Sequence, residues 1–278
     1  MSRTLYVSDL DGTLLNNNSE VSEKSSEIIN RLSDEGALIT VATARTPATV
    51  ADLMKNTHIN IPVIVMTGAA TYDLGKGVYE SEKFLKPWAV EGALEVFEKS
   101  GINPFVYTWR PDNVLHAYHS LKMTRTEELF YMLRRDGSLK KFHLDVLPDD
   151  EAKKHTLLLF ATGNREQLLS IRAHLEEKVG YPVSYYNDIF SADNGFIEVF
   201  ADGVSKAEAV KEMKSRIGAD RVVVFGDNLN DIPMMKVADV AVAVENAFPE
   251  VKSIAQVIIG ENTKDSVAEF IAQDFKRK

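Results

Sequence analysis

Three nearly unbroken apolar runs of strand length open the chain: Leu5 to Leu10, Ala37 to Thr43 and Ile61 to Met66. Between them the apolar positions change rhythm. Ser22 to Glu35 places Ile28, Ile29 and Leu32 on one helical face and stops at Gly36, and Thr46-Pro47 opens a second helix through Met54. Continuous apolar strands separated by amphipathic helices predict a parallel sheet covered on both faces.

After about residue 82 the texture changes. A helix starts near Pro87, and NPFVYTW and VLHAYHS flank a Pro111-Asp112-Asn113 turn, which predicts an antiparallel hairpin. A helix over Arg125 to Arg135, the strand HTLLLFAT, a helix over Asn164 to Lys178, and the strands VSYYN and FIEVF follow. Strand pairs interleaved with helices predict a separate α+β unit. From Gly203 the first texture returns, with RVVVFGD, VAVAV and QVIIG set between helices. The expected fold is therefore α/β: a doubly wound, Rossmann-like parallel-sheet core with an inserted α+β cap domain. The expected segments are 1–83 and 196–278 for the core and 84–195 for the cap.

In doubly wound sheets the working residues stand at the carboxyl ends of strands. Four such ends are polar here: Asp9-Leu10-Asp11-Gly12-Thr13, Thr43-Ala44-Arg45, Thr67-Gly68-Ala69, and Gly226-Asp227-Asn228-Leu229-Asn230-Asp231. A buried strand gains nothing from the two acids of DLDGTLL, and acids from the first and last of these ends would repel one another. A divalent cation resolves that conflict, and oxygen-only ligands suit magnesium, which keeps positions open for substrate phosphate. One Asp can then act as nucleophile and the acid two residues on, on the same side of an extended chain, can move protons. Gly12 permits a tight turn with amides facing phosphate, Thr43 offers a hydroxyl, and Lys206 at a helix start offers a point charge.

Composition narrows the class. With 45% hydrophobic and 26% charged residues the chain is that of a globular protein, and its net charge of −9 argues against nucleic acid or anionic membrane as partner. It has no cysteine, which excludes disulfides, thiolate zinc sites and cysteine nucleophiles. The N-terminus lacks a signal-peptide apolar region, and no run approaches the ~20 apolar residues of a membrane helix, so the cytoplasm is the expected location. Oligomeric state leaves no mark in the sequence.

DLDGTLL, a strand ending VATAR, then GVSK and GDNLND resemble, in order and spacing, the haloacid dehalogenase-like hydrolase superfamily. The position of the insert resembles its Cof-type, class IIB sugar-phosphatase branch. The resemblance spans the chain. It implies Asp9 as nucleophile, Asp11 as general acid/base, Thr43 and Lys206 on the phosphate, and Asp227 with Asp9 and the Asp11 carbonyl as Mg²⁺ ligands. It further implies Asn228 near the metal, Asn230 and the amides of Leu10 and Ala44 on the phosphate, Asp231 orienting Lys206, and Gly12 and Arg45 in support. Ala44, Thr67 and Glu245 depart from the family pattern, which usually has Gly, often Asn and often Gly at these places.

The competing readings of these stretches are plainer. A calcium loop over Asp9 to Glu20 fails because Leu14 stands where Gly is required. GAATYDLGKG mimics a phosphate loop with the wrong spacing, so a surface hairpin is expected. His116 and His119 do not share a strand face, so one is expected toward the active site and the other toward solvent. Phe105, Tyr107, Trp109 and Tyr118 are expected on one half-buried face. Lys140-Lys141 and Lys153-Lys154 are expected as solvated faces.

The sequence thus predicts a magnesium-dependent phosphatase of a small phosphorylated metabolite, a sugar phosphate, with the cap closing over the site and Trp109, Arg110, His116 and Tyr118 as substrate contacts. The alternatives are a phosphosugar mutase of the same fold, a phospho-Asp receiver, and a catalytically silent phosphometabolite sensor.

Overall fold

Strand β1 (Thr4–Ser8) is buried along its length, with Leu5, Tyr6 and Val7 fully excluded from solvent. A strand with no polar face must be covered on both sides. Each of these side chains contributes about 1.5–3 kcal/mol by leaving water. The computed structural model describes residues 3–187 and 193–276.

Helix α1 (Glu23–Asp34) starts where the Ser22 hydroxyl accepts the Ser25 N–H at 3.0 Å, and it buries Ile29 and Leu32. Strand β2 (Leu38–Val41), helix α2 (Pro47–Leu53) and strand β3 (Val63–Val65) follow. Strands β4 (Ala70–Asp73) and β5 (Val78–Glu82) complete a small sheet of order β3-β4-β5, which places GAATYDLGKG in a hairpin.

The next elements are α3 (Pro87–Ser100), β6 (Phe105–Trp109), β7 (Leu115–His119), α4 (Arg125–Met132) and β8 (Lys140–Leu144). After them come α5 (Asp150–Lys154), β9 (Thr156–Asn164), α6 (Arg165–Val179), β10 (Ser184–Asn187) and β11 (Asn194–Val199). The chain then forms α7 (Lys206–Ile217), β12 (Arg221–Gly226), α8 (Ile232–Lys236), β13 (Val240–Val244), α9 (Pro249–Ile254), β14 (Val257–Ile259) and α10 (Ser266–Lys276).

The chain divides into two compact units, Met1–Ser81 with Val204–Lys278, and Glu82–Gly203. In the first, a parallel sheet has the order β14-β13-β12-β1-β2. This crossover order sets the acid-bearing ends of β1 and β12 side by side, with Ser8 opposite Phe225. Helix α1 packs on α10, and α7 and α9 each pack on α8. Asp274 of α10 accepts the Tyr6 hydroxyl at 2.7 Å and the Arg221 guanidinium at 2.6 Å, joining this helix to β1 and β12.

The second unit is a six-stranded sheet of order β10-β11-β9-β6-β7-β8, antiparallel except for the β7–β8 pair. Helices α3 and α6 pack together over a core that includes Phe97, Val106, Leu159, Leu175 and Ile197. On the other face, Phe130 of α4 packs at 5.1 Å from Phe105 and 5.2 Å from Phe160.

Four expectations are corrected here. Residues 196–203 belong to the inserted unit, because FIEVF is β11 and pairs with β9 and β10. Tyr118 lies on the sheet face opposite Phe105, Tyr107 and Trp109, because its partner across the hairpin is Val106. His116 and His119 are both buried, and neither faces solvent. His119 stacks on Phe105 at 3.9 Å with its ring nitrogens against the carbonyls of Ser120 and Asn103. Lys140 is not half of a solvated pair but the buried first residue of β8.

Candidate active site

The site grows from the turn after β1. Gly12 takes a φ of +76°, and a Cβ there would stand 2.5 Å from Asp227 Oδ2, so only glycine lets the loop lie against the end of β12. Two further bonds hold it: Thr13 Oγ1 donates to Asp227 Oδ1 at 2.7 Å, and Asn246 Nδ2 donates to the Gly12 carbonyl at 2.7 Å. The Asp9 N–H donates to the Phe225 carbonyl at 3.0 Å, which extends the β1–β12 pairing to the acid itself.

Lys206 is the first residue of α7, whose start is capped by Ser205 Oγ accepting the Glu208 N–H at 3.1 Å. Gly68, after β3, lets this helix come close, because a Cβ on it would meet the Ser205 carbonyl at 2.5 Å. The Lys206 ammonium then donates to Asp9 Oδ1 at 2.6 Å and to Asp231 Oδ1 at 2.8 Å, with all three side chains buried. Asp231 Oδ2 accepts the amides of Asp227 and Asn228 at 3.2 and 3.1 Å. Asp231 is thus saturated, whereas Asp9 Oδ2 and Asp227 Oδ2 have no hydrogen-bond partner among the described residues.

Burial, and then the neighbouring Asp231 carboxylate, push the Asp9 carboxyl up to about 8 against the pull of Lys206. Burial likewise raises Asp227 to about 6. The Lys206 ammonium, between two carboxylates, is held well above the usual lysine range despite its burial. Three acids thus stand against one cation, and ligand oxygens of Asp9, Asp227 and Asp231 all lie within 4.8 Å of one another. An oxygen-only set with excess negative charge and two unused carboxylate oxygens fits a hard divalent cation such as Mg²⁺.

Asp11, two residues past the buried Asp9, is half-exposed and bound by Arg45, whose Nε and Nη2 donate to its two oxygens at 2.7 and 2.6 Å. Thr43 is buried between β2 and β3, with its hydroxyl accepting the Arg45 N–H at 3.1 Å. Leu10 is buried and Ala44 is exposed at the adjoining strand end.

Two predicted residues lie on the turn after β12. Asn228 turns its side-chain oxygen to the Leu229 N–H at 2.7 Å, and Asn230 is exposed on the same turn. The residues missed from sequence are Thr13 and Asn246, which brace the Asp227 carboxylate and the Gly12 turn. Thr13 stood inside the DLDGT motif, and Asn246 carried no motif at all.

Of the family departures, Thr67 adopts a φ of +58°, a conformation that Asn tolerates and a β-branched residue resists. Glu245 lies 3.5 Å from Lys252, which offsets part of its charge.

The four cap candidates lie in the inserted unit and form two groups. Trp109 packs beside Phe84 and His155, at 6.2 and 5.8 Å. Arg110 donates to the Tyr118 hydroxyl at 3.0 Å, Tyr118 stacks on His143 at 4.6 Å, and His143 meets His116 nitrogen to nitrogen at 2.8 Å.

Acids at the ends of adjacent parallel strands, a buried lysine between them and a large insert define a class of hydrolase. Residues 6–271 match the family of haloacid dehalogenase-like hydrolases, and the chain belongs to that family, in its Cof-type branch. It is 26% identical over 279 residues to the pyridoxal phosphate phosphatase YbhA of Escherichia coli, covering 98% of each chain. It is also 26% identical over 276 residues to the 5-amino-6-(5-phospho-D-ribitylamino)uracil phosphatase YcsE of Bacillus subtilis, covering 96% of this chain and 94% of that one. A crystal structure of a haloacid dehalogenase-like hydrolase from Bacteroides thetaiotaomicron shares the fold, with a TM-score of 0.80 at 21% identity over 98% of this chain and 99% of that one. These relationships place the chain among the phosphoric monoester hydrolases.

Proposed function

We propose that the chain is a Mg²⁺-dependent phosphatase that hydrolyses a small phosphorylated metabolite, a sugar phosphate or a similar phosphorylated alcohol, through an aspartyl-phosphate on Asp9. The observation that carries this reading is the Asp9–Lys206–Asp231 arrangement, which buries a carboxylate at a strand end with one oxygen still unused. Asp9 attacks phosphorus in line while Asp11 protonates the leaving alcohol oxygen, giving phospho-Asp9 and free alcohol. Asp11, now a carboxylate, takes a proton from water; the hydroxide displaces Asp9 and inorganic phosphate leaves. Lys206, the Thr43 hydroxyl and the amides of Leu10 and Ala44 bind the phosphoryl oxygens, with Asn230 reaching them when the turn around it moves. Asp9 and Asp227, with the Asp11 carbonyl and Asn228, would hold Mg²⁺, which supplies charge neutralisation at the phosphoryl group.

Trp109, Arg110, His116 and Tyr118 are proposed to contact the rest of the substrate. The metabolites named for the two relatives, pyridoxal phosphate and a phosphoribitylamino-uracil, each carry a phosphomonoester on a primary alcohol, so both belong in the substrate panel. No described helix is long and apolar enough to cross a membrane, and the cytoplasm is the proposed location. The test is inorganic phosphate release from a phosphometabolite panel, with Mg²⁺ or EDTA, for wild type and Asp9→Asn. Release that needs metal and vanishes in the variant is expected. No release from any compound would move the reading to a mutase or a silent sensor.

A further inference from the structure

The inserted unit buries a cation, Lys140, that has no acid beside it among the described residues. Among the described residues the other buried charged side chains each have a hydrogen-bond or ionic partner. Asp9, Lys206 and Asp231 bind one another, Glu127 accepts the Thr124 N–H of its helix cap at 2.7 Å, and Glu198 accepts the Tyr186 hydroxyl at 3.0 Å. Lys140 is 4% exposed, and its ammonium lies 4.8 Å from the centre of the Tyr107 ring and 5.9 Å from that of Phe142. Among the described residues the charge that acts on it is that of Arg134, of the same sign. Burial, and then this repulsion, push the ammonium down to about 7.

Packing alone does not account for a lysine here. A lysine that lays its stem along aromatic rings normally keeps its head in water, and this residue is almost wholly covered. Contact with ring faces offsets only part of the cost of taking an ammonium out of water. Methionine or leucine would fill the same space at no electrostatic cost. Register places Tyr107, Phe142 and Lys140 on one sheet face, and the Tyr107 hydroxyl has no hydrogen-bond partner among the described residues.

We propose that Lys140 is the anchor of an oxyanion site in the inserted unit, which takes a carboxylate or phosphate group of a small ligand, with Tyr107 as a second donor. The incoming anion supplies the counter-charge that the fold withholds. The inference does not rest on the phosphatase reading, and its test needs no turnover.

The full chain, carrying lysine labelled with ¹³C at Cε, is titrated with pH by NMR, and the Lys140 signal is assigned by its loss in Lys140→Met. Inorganic phosphate and succinate are then added separately at about 10 mM, enough to fill most of a ~1 mM site. The Lys140 midpoint should move up by about one unit or more, while the exposed lysines stay where they were. A shift with phosphate alone assigns a phosphate-bearing ligand, and one with succinate alone assigns a carboxylate. A midpoint that ignores both anions, or a uniform drift of all lysines, overturns the proposal. As an independent check, the anion that shifts the signal should raise the melting temperature of wild type and Lys140→Arg and leave Lys140→Met unmoved; an equal rise in all three also overturns it.

Discussion

The guanidinium of Arg45 grips both carboxylate oxygens of Asp11, at 2.7 and 2.6 Å, from the end of the neighbouring strand. A bidentate pair fixes orientation as well as charge, and lysine cannot reproduce it. Arg45 is therefore a positioning residue for the proposed acid/base. Arg45→Lys should lower kcat for alkyl phosphates by about tenfold and leave the KM for Mg²⁺ unchanged. An equal loss with p-nitrophenyl phosphate, whose leaving group needs no proton, would contradict this role.

For Asp11 itself the same comparison is sharper. Asp11→Asn should cut hydrolysis of an alkyl phosphate by about 100- to 10,000-fold, the usual range for a lost general acid, and spare the aryl ester far more. Steady-state rates on the two esters decide it. Uniform loss on both would assign Asp11 a structural or metal-holding task instead.

The Lys206 ammonium pairs with both Asp9 and Asp231 inside the protein, so its removal leaves carboxylates buried without their cation. Breaking such a pair typically costs about 3–5 kcal/mol. Lys206→Met should melt several degrees lower than wild type, release no phosphate, and regain part of its melting temperature when Mg²⁺ is added. Thermal melts with Mg²⁺ and with EDTA read all three; a variant as stable as wild type would show that the triad contributes nothing to the fold.

Gly12→Ala forces a side chain into the left-handed region, at about 1–2 kcal/mol, and drives its Cβ into Asp227 Oδ2. The expected result is weaker Mg²⁺ activation, read as a rise in the Mg²⁺ concentration for half-maximal activity, beyond a modest loss of stability. An unchanged Mg²⁺ requirement would detach this turn from the carboxylates proposed to bind the metal.

The lowered titration of Lys140 has a definite sign in stability. The unfolded chain holds this proton up to about 10.5 and the folded chain only to about 7, so between these values unfolding takes up a proton and stability rises with pH. Below about 7 the cost of the buried charge is fully present. Lys140→Met should therefore exceed wild type in melting temperature most at neutral pH and below, and the gap should close toward pH 10. A gap that does not vary with pH would mean that the ammonium is solvated in the folded protein.

What was legible in the sequence was set by local chemistry. The apolar runs of β1, β2, β12 and β13 specify buried parallel strands whatever surrounds them, and acids placed at their ends can face only the edge where parallel strands stop. The order of the four motifs was therefore enough to place Asp9, Thr43, Lys206 and Asp227 at one end of one sheet. Tertiary structure decided what depends on partners distant in the chain. The Thr13–Asp227 and Asn246–Gly12 bonds join residues 214 and 234 positions apart, and side-chain hydrogen bonds carry no periodicity from which such pairs can be read. Lys140 and Lys141 look alike as neighbours in a charged stretch, yet alternation along β8 sends them to opposite faces once the strand pairs with β7. Only that pairing made one of them a buried cation.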